Sequence, residues 1–420
     1  MTGSTIDHLV SLMVFLGAIL LFIGLFNQTI QTAILYQRHR YLATKCSDLL
    51  DNVLLNPGYP IEWKQGHPVE WGKLNVTPTG FGLQDPEFMQ YRLSSFSLMR
   101  LLSSSGNRVY YSQTGKWYSN VSWGIGGGYL LLPESECIDY STASKLLGTN
   151  GTYGFQLTIK PTLTVDITEV QMNPLKLKIQ VKGPGFPLSG ANLTYLMFWA
   201  NTVNPESGVP ILNFNSSSLE ADLSGIAYEE FSSDPYLRVD NNRTAYTFIV
   251  KAYIGGLYGV GYKSRETITS SGNIIPFVES YENGTVLLAH KFGKNDPSGN
   301  EGAVFFNSTF YILPENFSPI QFEIQNSSGL VNYGQGKPYQ RITIPTSNPG
   351  FLVVGYRKGN QFGMVVMPWG IGTIGVSVVF GDNPSGKEWV ATDIRQVLVN
   401  NIAYQAKLAL WSLEGYQVIG

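Results

Sequence analysis

The sequence is poor in charge. Asp, Glu, Lys and Arg make up 14% of its 420 residues, whereas soluble globular domains contain about 25%. The formal net charge is -2, and no long run of Lys or Arg offers the basic surface that a nucleic-acid partner requires. Uncharged polar residues and aromatics take the place of charge. This composition favours β-rich extracellular modules over a cytosolic enzyme.

The sequence also has few residues that could carry out catalysis. Only four histidines occur, at His8, His39, His67 and His290. No HExxH, GxSxG or strand-linked GxGxxG motif is present, and the glycine cluster 124–128 lacks the Lys-Ser/Thr of a phosphate loop. The acidic pair Glu229 and Glu230 would point to opposite faces of a strand and not converge as glycosidase carboxylates do. We therefore expect no enzymatic function, cofactor or metal.

Cysteine is almost absent. The two cysteines, Cys46 and Cys137, are far apart in the chain and no CxxC motif exists, which excludes the usual zinc sites. They are either two free buried thiols or one disulfide formed in an oxidising compartment. Our working hypothesis is a Cys46–Cys137 disulfide that joins the N-terminal segment to the first outer domain.

One long apolar run is present near the N-terminus. Residues 9–26 contain a single polar residue, Ser11, and no charged side chain lies between His8 and Gln37. A helix this long spans a bilayer, and the basic start and cleavage site of a secretory signal peptide are missing. Apolar residues then continue at helical spacing until Asn56-Pro57-Gly58. The pattern predicts one helix, from about Thr5 to Leu55, that is membrane-embedded first and amphipathic after.

Two features of the sequence indicate opposite orientations of this helix in the membrane. Arg38, Arg40 and Lys45 follow the apolar run, and the positive-inside rule alone would place them in the cytoplasm. The glycosylation motifs and the size of the β-rich region that follows favour the opposite. We expect the residues after about 40 to lie outside the cell.

Asn-X-Ser/Thr motifs are abundant. Eleven occur where the Asn, Ser and Thr content predicts about four by chance. They are either ordinary loop composition or sites on a glycosylated outer surface, and we expect the latter. One, Asn27, directly follows the apolar run, and the other ten are Asn75, Asn120, Asn150, Asn192, Asn215, Asn242, Asn283, Asn307, Asn316 and Asn326.

The remainder of the chain alternates apolar and polar residues between Gly, Pro and Asn breaks, which predicts β-structure. The predicted fold class is mainly β: a long N-terminal transmembrane and amphipathic helix, followed by two or three extracellular β-rich domains of sandwich type. We place the helix at 1–56, a mixed α/β membrane-proximal domain at 57–150, an Ig-like or transthyretin-like sandwich at 151–272 and a β-rich domain at 273–420.

Four local predictions can be compared with a structure. We expect a helix at 88–102, a hairpin that turns at Lys358-Gly359-Asn360, and buried strands in place of a second membrane span at 364–380. Residues 389–413 form either a strand pair or an amphipathic helix.

The extreme N-terminus resembles archaeal type IV pilin-like proteins of the class III signal peptide type. The shared features are an early glycine, Gly3, a small polar pair that begins at Ser4, the acid Asp7, and an uncharged helix that becomes amphipathic. Thr2 replaces the usual basic residue before the glycine, and the acid is fourth and not fifth from Ser4. The resemblance implies cleavage after Gly3, a mature N-terminus at Ser4, and a helix that packs in a filament core.

In such a core, Asp7 would pair with the amino group of a neighbouring subunit, since a carboxylate is costly alone in an apolar bundle. The alternative is a plain signal anchor, in which Asp7 is a solvated residue at the helix start. The corresponding functions are a pilin-like surface protein, structural or adhesive, and a solitary membrane-anchored binding protein or S-layer-associated stalk.

A second resemblance concerns residues 178–196, KIQVKGPGFPLSGANLTYL, which look like the strand-turn-strand of transthyretin-like or carboxypeptidase-regulatory-like Ig-type modules. Such modules are usually spacers. Surface glycans are a further partner class, because aromatics such as Trp117, Tyr118 and Trp123 could stack on sugars, although core packing is the common role of such residues. The expected partners are thus the membrane, other copies or pilin-like subunits, and surface glycans, with no nucleic acid.

Overall fold

A computed structural model describes residues 2–88, 91–101, 109–112, 114–122, 129–232, 244–265, 273–290, 303–312, 318–332, 336–370, 375 and 377–413. The described residues form three α-helices, α1 Thr2–Leu55, α2 Ser95–Met99 and α3 Tyr140–Leu146, and two short 3₁₀ turns, Trp71–Lys73 and Glu134–Glu136.

The strands of the first half are β1 Ile61–Lys64, β2 His67–Glu70, β3 Arg92–Leu93, β4 Val109–Tyr111, β5 Lys116–Ser122, β6 Tyr129–Pro133, β7 Tyr153–Pro161, β8 Thr164–Met172, β9 Leu175–Lys182, β10 Asn192–Ala200, β11 Asn213–Glu220, β12 Ile226–Glu230, β13 Ala245–Ile254 and β14 Leu257–Arg265. Those of the second half are β15 Ile274–Ser280, β16 Thr285–His290, β17 Val304–Ile312, β18 Ile320–Phe322, β19 Ser328–Val331, β20 Tyr339–Thr343, β21 Gly350–Lys358, β22 Gln361–Trp369, β23 Val378–Gly381, β24 Ala391–Val399 and β25 Ile402–Ser412. The fold is mainly β with a long N-terminal helix, as predicted.

Helix α1 is continuous and 54 residues long, which corresponds to about 80 Å. It ends where the sequence predicted, because Pro57 cannot continue a helix and Gly58 takes a positive φ of 75°. The amide of Gly58 donates to the side-chain oxygen of Asn56 at 2.9 Å. This turn directs the chain away from the helix axis into the short hairpin β1–β2.

The last part of α1 packs on one five-stranded sheet, which we call the docking sheet, with strand order β23-β7-β25-β24-β3. Strands β24 and β25 form a hairpin whose two turn residues, Asn400 and Asn401, both have positive φ. Paired positive-φ residues suit the twist of a two-residue hairpin. Of the two predictions for residues 389–413, the strand pair is therefore correct.

Two further sheets complete the main body. A six-stranded sheet has the order β20-β16-β15-β6-β5-β4, and a sheet formed around β17 has the order β18-β17-β21-β22, with β19 also paired to β17. The predicted hairpin is confirmed: β21 and β22 pair from Gly350↔Trp369 to Lys358↔Gln361, so the chain turns at Gly359-Asn360. Strands β22 and β23 confirm the prediction of strands between 364 and 380.

A β-sandwich is joined to this main body, and the two together form the body of the protein. Its sheets are β12-β9-β8 and β11-β10-β13-β14, and their facing side chains form a separate core that includes Ile179, Tyr195 and Phe248. The other face of β10 belongs to the main core through Leu196 and Phe198. Burial on both faces explains why β10 reads as an almost continuous apolar run.

Several sequence-based boundaries differ from the observed ones. Strand β7 pairs with β25 and not with the sandwich, and β6 pairs in parallel with β15 at Leu131↔Phe277. Sheets thus combine strands from the ranges 57–150, 151–272 and 273–420. The expected helix at 88–102 is wrong: among the described residues of this range only Ser95–Met99 is α-helical, and Arg92 and Leu93 pair with β24. The glycine cluster 124–128 lies outside the described residues.

Candidate functional site

The first candidate site is the part of α1 that the body does not cover. Every described side chain from Ile6 to Arg38 is exposed, including large apolar ones such as Leu21 and Phe22, which are 71% and 70% exposed. One 18-residue window of α1 has a mean hydropathy of 2.8 and no buried residue, so the helix is long and apolar enough to cross a membrane. Exposed apolar area of this kind is unfavourable in water by about 25 cal/mol per Å². The segment therefore requires lipid or other protein around it.

The residues singled out at the N-terminus all belong to this exposed part. Gly3, Ser4 and Asp7 lie in the first turns of α1, and the Asp7 side chain is exposed. No contact in the described residues joins Asp7 to the body. Cleavage after Gly3 and the pairing of Asp7 with an amino group thus stay predictions.

A polar neck separates the apolar run from the body. It comprises residues 27–38, which are uncharged until Arg38 and exposed on every side. Thr29 and Thr32 donate their hydroxyls to backbone carbonyls one turn earlier, both at 2.8 Å. The neck still carries exposed apolar side chains, Ile30, Ile34, Leu35 and Tyr36. It is an amphipathic surface whose apolar side chains are exposed.

The helix meets the docking sheet at His39. The His39 imidazole stacks on the Trp389 indole, with ring centroids 3.5 Å apart and planes 6° apart. Beyond it, one face of α1 is buried against the sheet through Leu42, Cys46, Leu49, Leu50, Val53 and Leu54. This buried stripe is the amphipathic pattern that the sequence predicted.

Charged groups hold the same junction from the side. Arg395 on β24 donates to Asp51 of the helix at 3.0 Å and to Ser47 at 2.9 Å, and it pairs with Asp393 at 2.6 Å. Burial tends to raise the pKa of Asp393, but hydrogen bonds from Ser47, the Ile394 amide and Arg395 outweigh it, so the pKa is lowered. Since these groups are partly exposed, the pairs contribute about 1 kcal/mol or less each. They join the side of α1 to β24 next to the buried stripe.

The two cysteines are free, so the predicted disulfide is wrong. Cys46 lies between α1 and the docking sheet, where its thiol contacts the carbonyls of Leu408 and Ala391 at 3.5 and 3.7 Å. Cys137 lies elsewhere, near Arg100 and Tyr281. Burial raises the pKa of Cys46 to about 11 and that of Cys137 to about 12. Spacing in the sequence could not show that the two thiols face different neighbours.

The predicted glycosylation sites are distributed over the neck of α1 and the β-rich part of the chain. Asn75, Asn150, Asn192, Asn215, Asn283 and Asn326 have exposed side chains. Asn307 is half-buried on β17, and its amide donates to the carbonyl of Pro210 at 3.2 Å. Asn120 lies on β5, and Asn242 and Asn316 lie outside the described residues. Asn27 is exposed in the neck, next to the apolar run.

The residues considered for catalysis do not come together. Glu229 accepts a hydrogen bond from Tyr195 at 2.7 Å, whereas Glu230 pairs with Lys176 at 3.3 Å. His67 is exposed beside Glu87, and His290 ends β16. Among the described residues, no group of three or more His, Cys, Asp or Glu side chains could hold a metal ion.

The aromatics considered for sugar stacking have different fates. Tyr118 is buried and packs edge-on against Phe277, with ring centroids 5.1 Å apart. Trp117 is 46% exposed beside Tyr110, at 5.2 Å. Trp123 lies outside the described residues.

Comparison with known proteins identifies no family. No family model matches the chain, and no curated protein matches it. Among solved structures, one similar chain is described as the D0-D1 domain of Intimin, with 15% sequence identity. The alignment covers 53% of this chain and 98% of that one, with a TM-score of 0.19. At that TM-score the likeness carries no inference about fold or function.

Proposed function

We propose that this chain is a pilin-like cell-surface subunit, structural or adhesive, that inserts or assembles through α1 and displays its β body outside the cell. The observation that carries the proposal is the shape of α1: one unbroken helix, uncovered from Ile6 to Arg38 and packed on the docking sheet from His39 onward. An uncovered apolar helix joined rigidly to a folded body supports a role as an assembly element.

The neck favours assembly over a solitary anchor. Tyr36 lies ten residues beyond Phe26, a distance of about 15 Å along the helix. The headgroup layer on one side of a bilayer is only about 5–8 Å thick. In a lone anchored copy, Ile34, Leu35 and Tyr36 would therefore stand in water, whereas neighbouring helices in a bundle would cover them.

An outward orientation of the body accords with the ten Asn-X-Ser/Thr motifs that follow the apolar run. Six of them present exposed asparagines on the body. Glycosylation of these sites and contact with surface glycans are part of the same proposal. The second candidate function is a solitary membrane-anchored binding protein or stalk, which the membrane-length helix supports equally.

The test replaces the apolar residues of the neck and leaves the membrane segment unchanged. Ile30→Ser combined with Ile34→Ser is expressed in the native host, and high-molecular-weight surface assemblies are quantified together with total membrane-bound protein. The matched control is Leu223→Ser, at a side chain of the sandwich that is 92% exposed.

We expect the neck variant to lose at least ten-fold in assemblies with normal membrane content, and the control to lose neither. If the unmodified protein forms no assemblies, or if the neck variant forms as many, the solitary anchor is the correct function.

A further inference from the structure

A cleft of about 480 Å³ lies where the sandwich joins the β17 sheet. One wall is the region of β11 around Phe214, and the other consists of β17 and β18. This volume is within the range of about 300–1,000 Å³ typical of small-ligand sites. The cleft belongs to the body and is remote in sequence from α1, so its use does not depend on how α1 functions.

An aromatic ring lines each wall of the cleft, Phe214 on β11 and Tyr311 on β17. Phe214 is 40% exposed, and its ring centroid lies 5.9 Å from that of Tyr311. Tyr311 also packs against Phe198 at 4.9 Å and against Phe351, its cross-strand partner, at 5.6 Å. The ring of Tyr311 is therefore fixed in position, while Phe214 lines the cleft and stays partly exposed.

Polar side chains lie beside Tyr311 on the wall formed by β17 and β18, because of the strand register. Tyr311 pairs with Gln321, and directly paired residues of antiparallel strands share a face. Thr309 and Glu323 are each two residues from this pair, and so they lie on the same face. Thr309, Gln321 and Glu323 all line the cleft. Within the described part of the chain, no hydrogen bond or ion pair uses the side chains of Gln321 or Glu323.

The charge of the lining limits the ligand. Glu323 is its single acidic residue, and none of the lining residues is Lys, Arg or His. A hydroxyl donor would suit the Glu323 carboxylate, and the Gln321 amide can both donate and accept. An anionic ligand would meet repulsion with no compensating cation.

We propose that this cleft binds a neutral saccharide. The Phe214 ring offers flat apolar surface to the C–H face of a sugar, and the Glu323 carboxylate and the Gln321 amide on the opposing β17–β18 wall satisfy its hydroxyls. The saccharide has two conceivable sources. One is a glycan of another molecule, and the other is a glycan on Asn307 of the same chain, which lines the cleft and carries one of the glycosylation motifs.

The test uses the full chain, produced in a host without N-glycosylation and kept in a zwitterionic detergent that has no sugar headgroup. The probes are neutral hexose and N-acetylhexosamine mono- and disaccharides, with uronic acids as charged counterparts. Calorimetry or an immobilised-glycan assay measures the affinities. We expect at least one neutral probe to bind, at least ten-fold more tightly than its uronic acid.

Two variants locate the binding in the cleft. Phe214→Ala and Gln321→Ala each weaken the affinity at least ten-fold, whereas the exposed control variants Phe186→Ala and Glu206→Gln leave it unchanged. Thermal denaturation verifies that each variant is folded. If no neutral probe binds, or if both cleft variants bind as well as the unmodified chain, the proposal is overturned.

Protein from the native host separates the two sources. A glycan on Asn307 together with blocked probe binding, relieved in Asn307→Gln, identifies the occupant as the chain's own glycan. An unmodified Asn307 with normal probe binding identifies an external glycan. Native protein that has no glycan at Asn307 and binds no probe contradicts both.

Discussion

The imidazole of His39 lies flat on the indole of Trp389, with ring centroids 3.5 Å apart. This stack lies where burial of α1 begins, since every described side chain from Ile6 to Arg38 is exposed and His39 is half-buried. It marks the point at which α1 changes from an isolated helix to a packed one. The packed part of α1, which begins at His39, connects the apolar run to the body.

Removing the Trp389 indole should loosen the first packed turn of α1, which begins at His39, without unfolding the body. Trp389→Ala is expected to increase amide hydrogen exchange at residues 39–46, since an aromatic stack contributes about 0.5–1.5 kcal/mol. Trp63→Ala, at a 74% exposed indole on β1, is the matched control. Equal exchange in both variants would mean that the stack does not hold the helix.

A second relationship in the body predicts a large loss of stability. The guanidinium of Arg100 is fully buried, and it donates to the carbonyls of Leu74 at 2.7 Å, Val76 at 2.6 Å and Glu136 at 2.8 Å. Its planar fork reaches several acceptors at once, which a lysine ammonium cannot reproduce.

We therefore expect Arg100→Lys to lower the free energy of unfolding by about 3 kcal/mol, as buried acceptors lose their donors. Arg92→Lys is the control, because Arg92 is partly exposed and its distance from Asp85 is 3.8 Å. Thermal or urea unfolding measures the difference. If the two variants lose the same free energy of unfolding, a lysine ammonium can replace the guanidinium at position 100.

The buried carboxyl of Glu70 predicts a pH dependence. Its Oε1 accepts a hydrogen bond from Ser94 at 2.8 Å, and the Lys73 ammonium is 3.7 Å away. Burial outweighs both and raises the pKa of Glu70. A raised pKa means that the folded state holds the proton more tightly than the unfolded state. This contribution to stability is complete below about pH 4.3 and is lost as the pH rises through the folded pKa.

Glu70→Gln should remove this contribution, so its unfolding free energy should decrease less than that of the unmodified chain between about pH 4 and pH 7. Glu62→Gln, at an exposed residue of β1, should follow the unmodified chain. Urea unfolding at a series of pH values measures both. Identical pH profiles for all three proteins would refute the role of burial at Glu70.

The two thiols should react slowly with alkylating agents, and a reductant should not change the melting temperature. With pKa values raised to about 11 and 12, Cys46 and Cys137 are protonated at neutral pH and react poorly with alkylating agents. We expect native alkylation at pH 8 to be slower at both than in the denatured chain, and non-reducing peptide mapping to find both free. A melting temperature that falls on adding reductant would instead indicate a disulfide.

The parts of the fold that local sequence determines were predictable. The end of α1 follows from Pro57 and Gly58, and the β21–β22 hairpin follows from Gly359-Asn360 between two apolar runs. The pairing of strands that are distant in sequence was not predictable. The parallel pair Leu131↔Phe277 joins segments with no common local signal, and the same holds for β7 with β25.

The candidate sites divide in the same way. The exposed apolar helix was visible in composition alone, because eighteen nearly uninterrupted apolar residues permit few environments. The saccharide cleft was missed, since Phe214, Tyr311 and Gln321 come together only when β11, β17 and β18 are placed. Trp117 and Tyr118 attracted attention by residue type, yet burial decides their roles, and only Trp117 is exposed.

The last prediction concerns Asp7, whose exposed carboxylate precedes the apolar run. If α1 packs among copies of itself, Asp7 pairs with a neighbour's amino terminus in an apolar bundle. Asp7→Ala would leave that amine unpaired, a loss of about 3 kcal/mol per subunit. If α1 is only an anchor, the same change costs a few tenths of a kcal/mol through the helix dipole. Because every subunit bears the change, we expect surface assemblies to disappear while folding and membrane insertion persist.

The measurement in the native host scores assemblies and membrane-bound protein separately, since loss of insertion would remove both. Asp48→Ala is the matched control: this acid is also exposed on α1, but it lies in the half that packs on the docking sheet. Asp7→Asn distinguishes charge from shape, because it keeps the size of the side chain and removes only the ion pair. If assemblies are lost in both Asp7 variants but kept in Asp48→Ala, the cause is the amino group of the neighbouring subunit, which has lost its carboxylate partner. Assemblies of normal amount in Asp7→Ala would show that the carboxylate stays in water and that α1 needs no partner at that position.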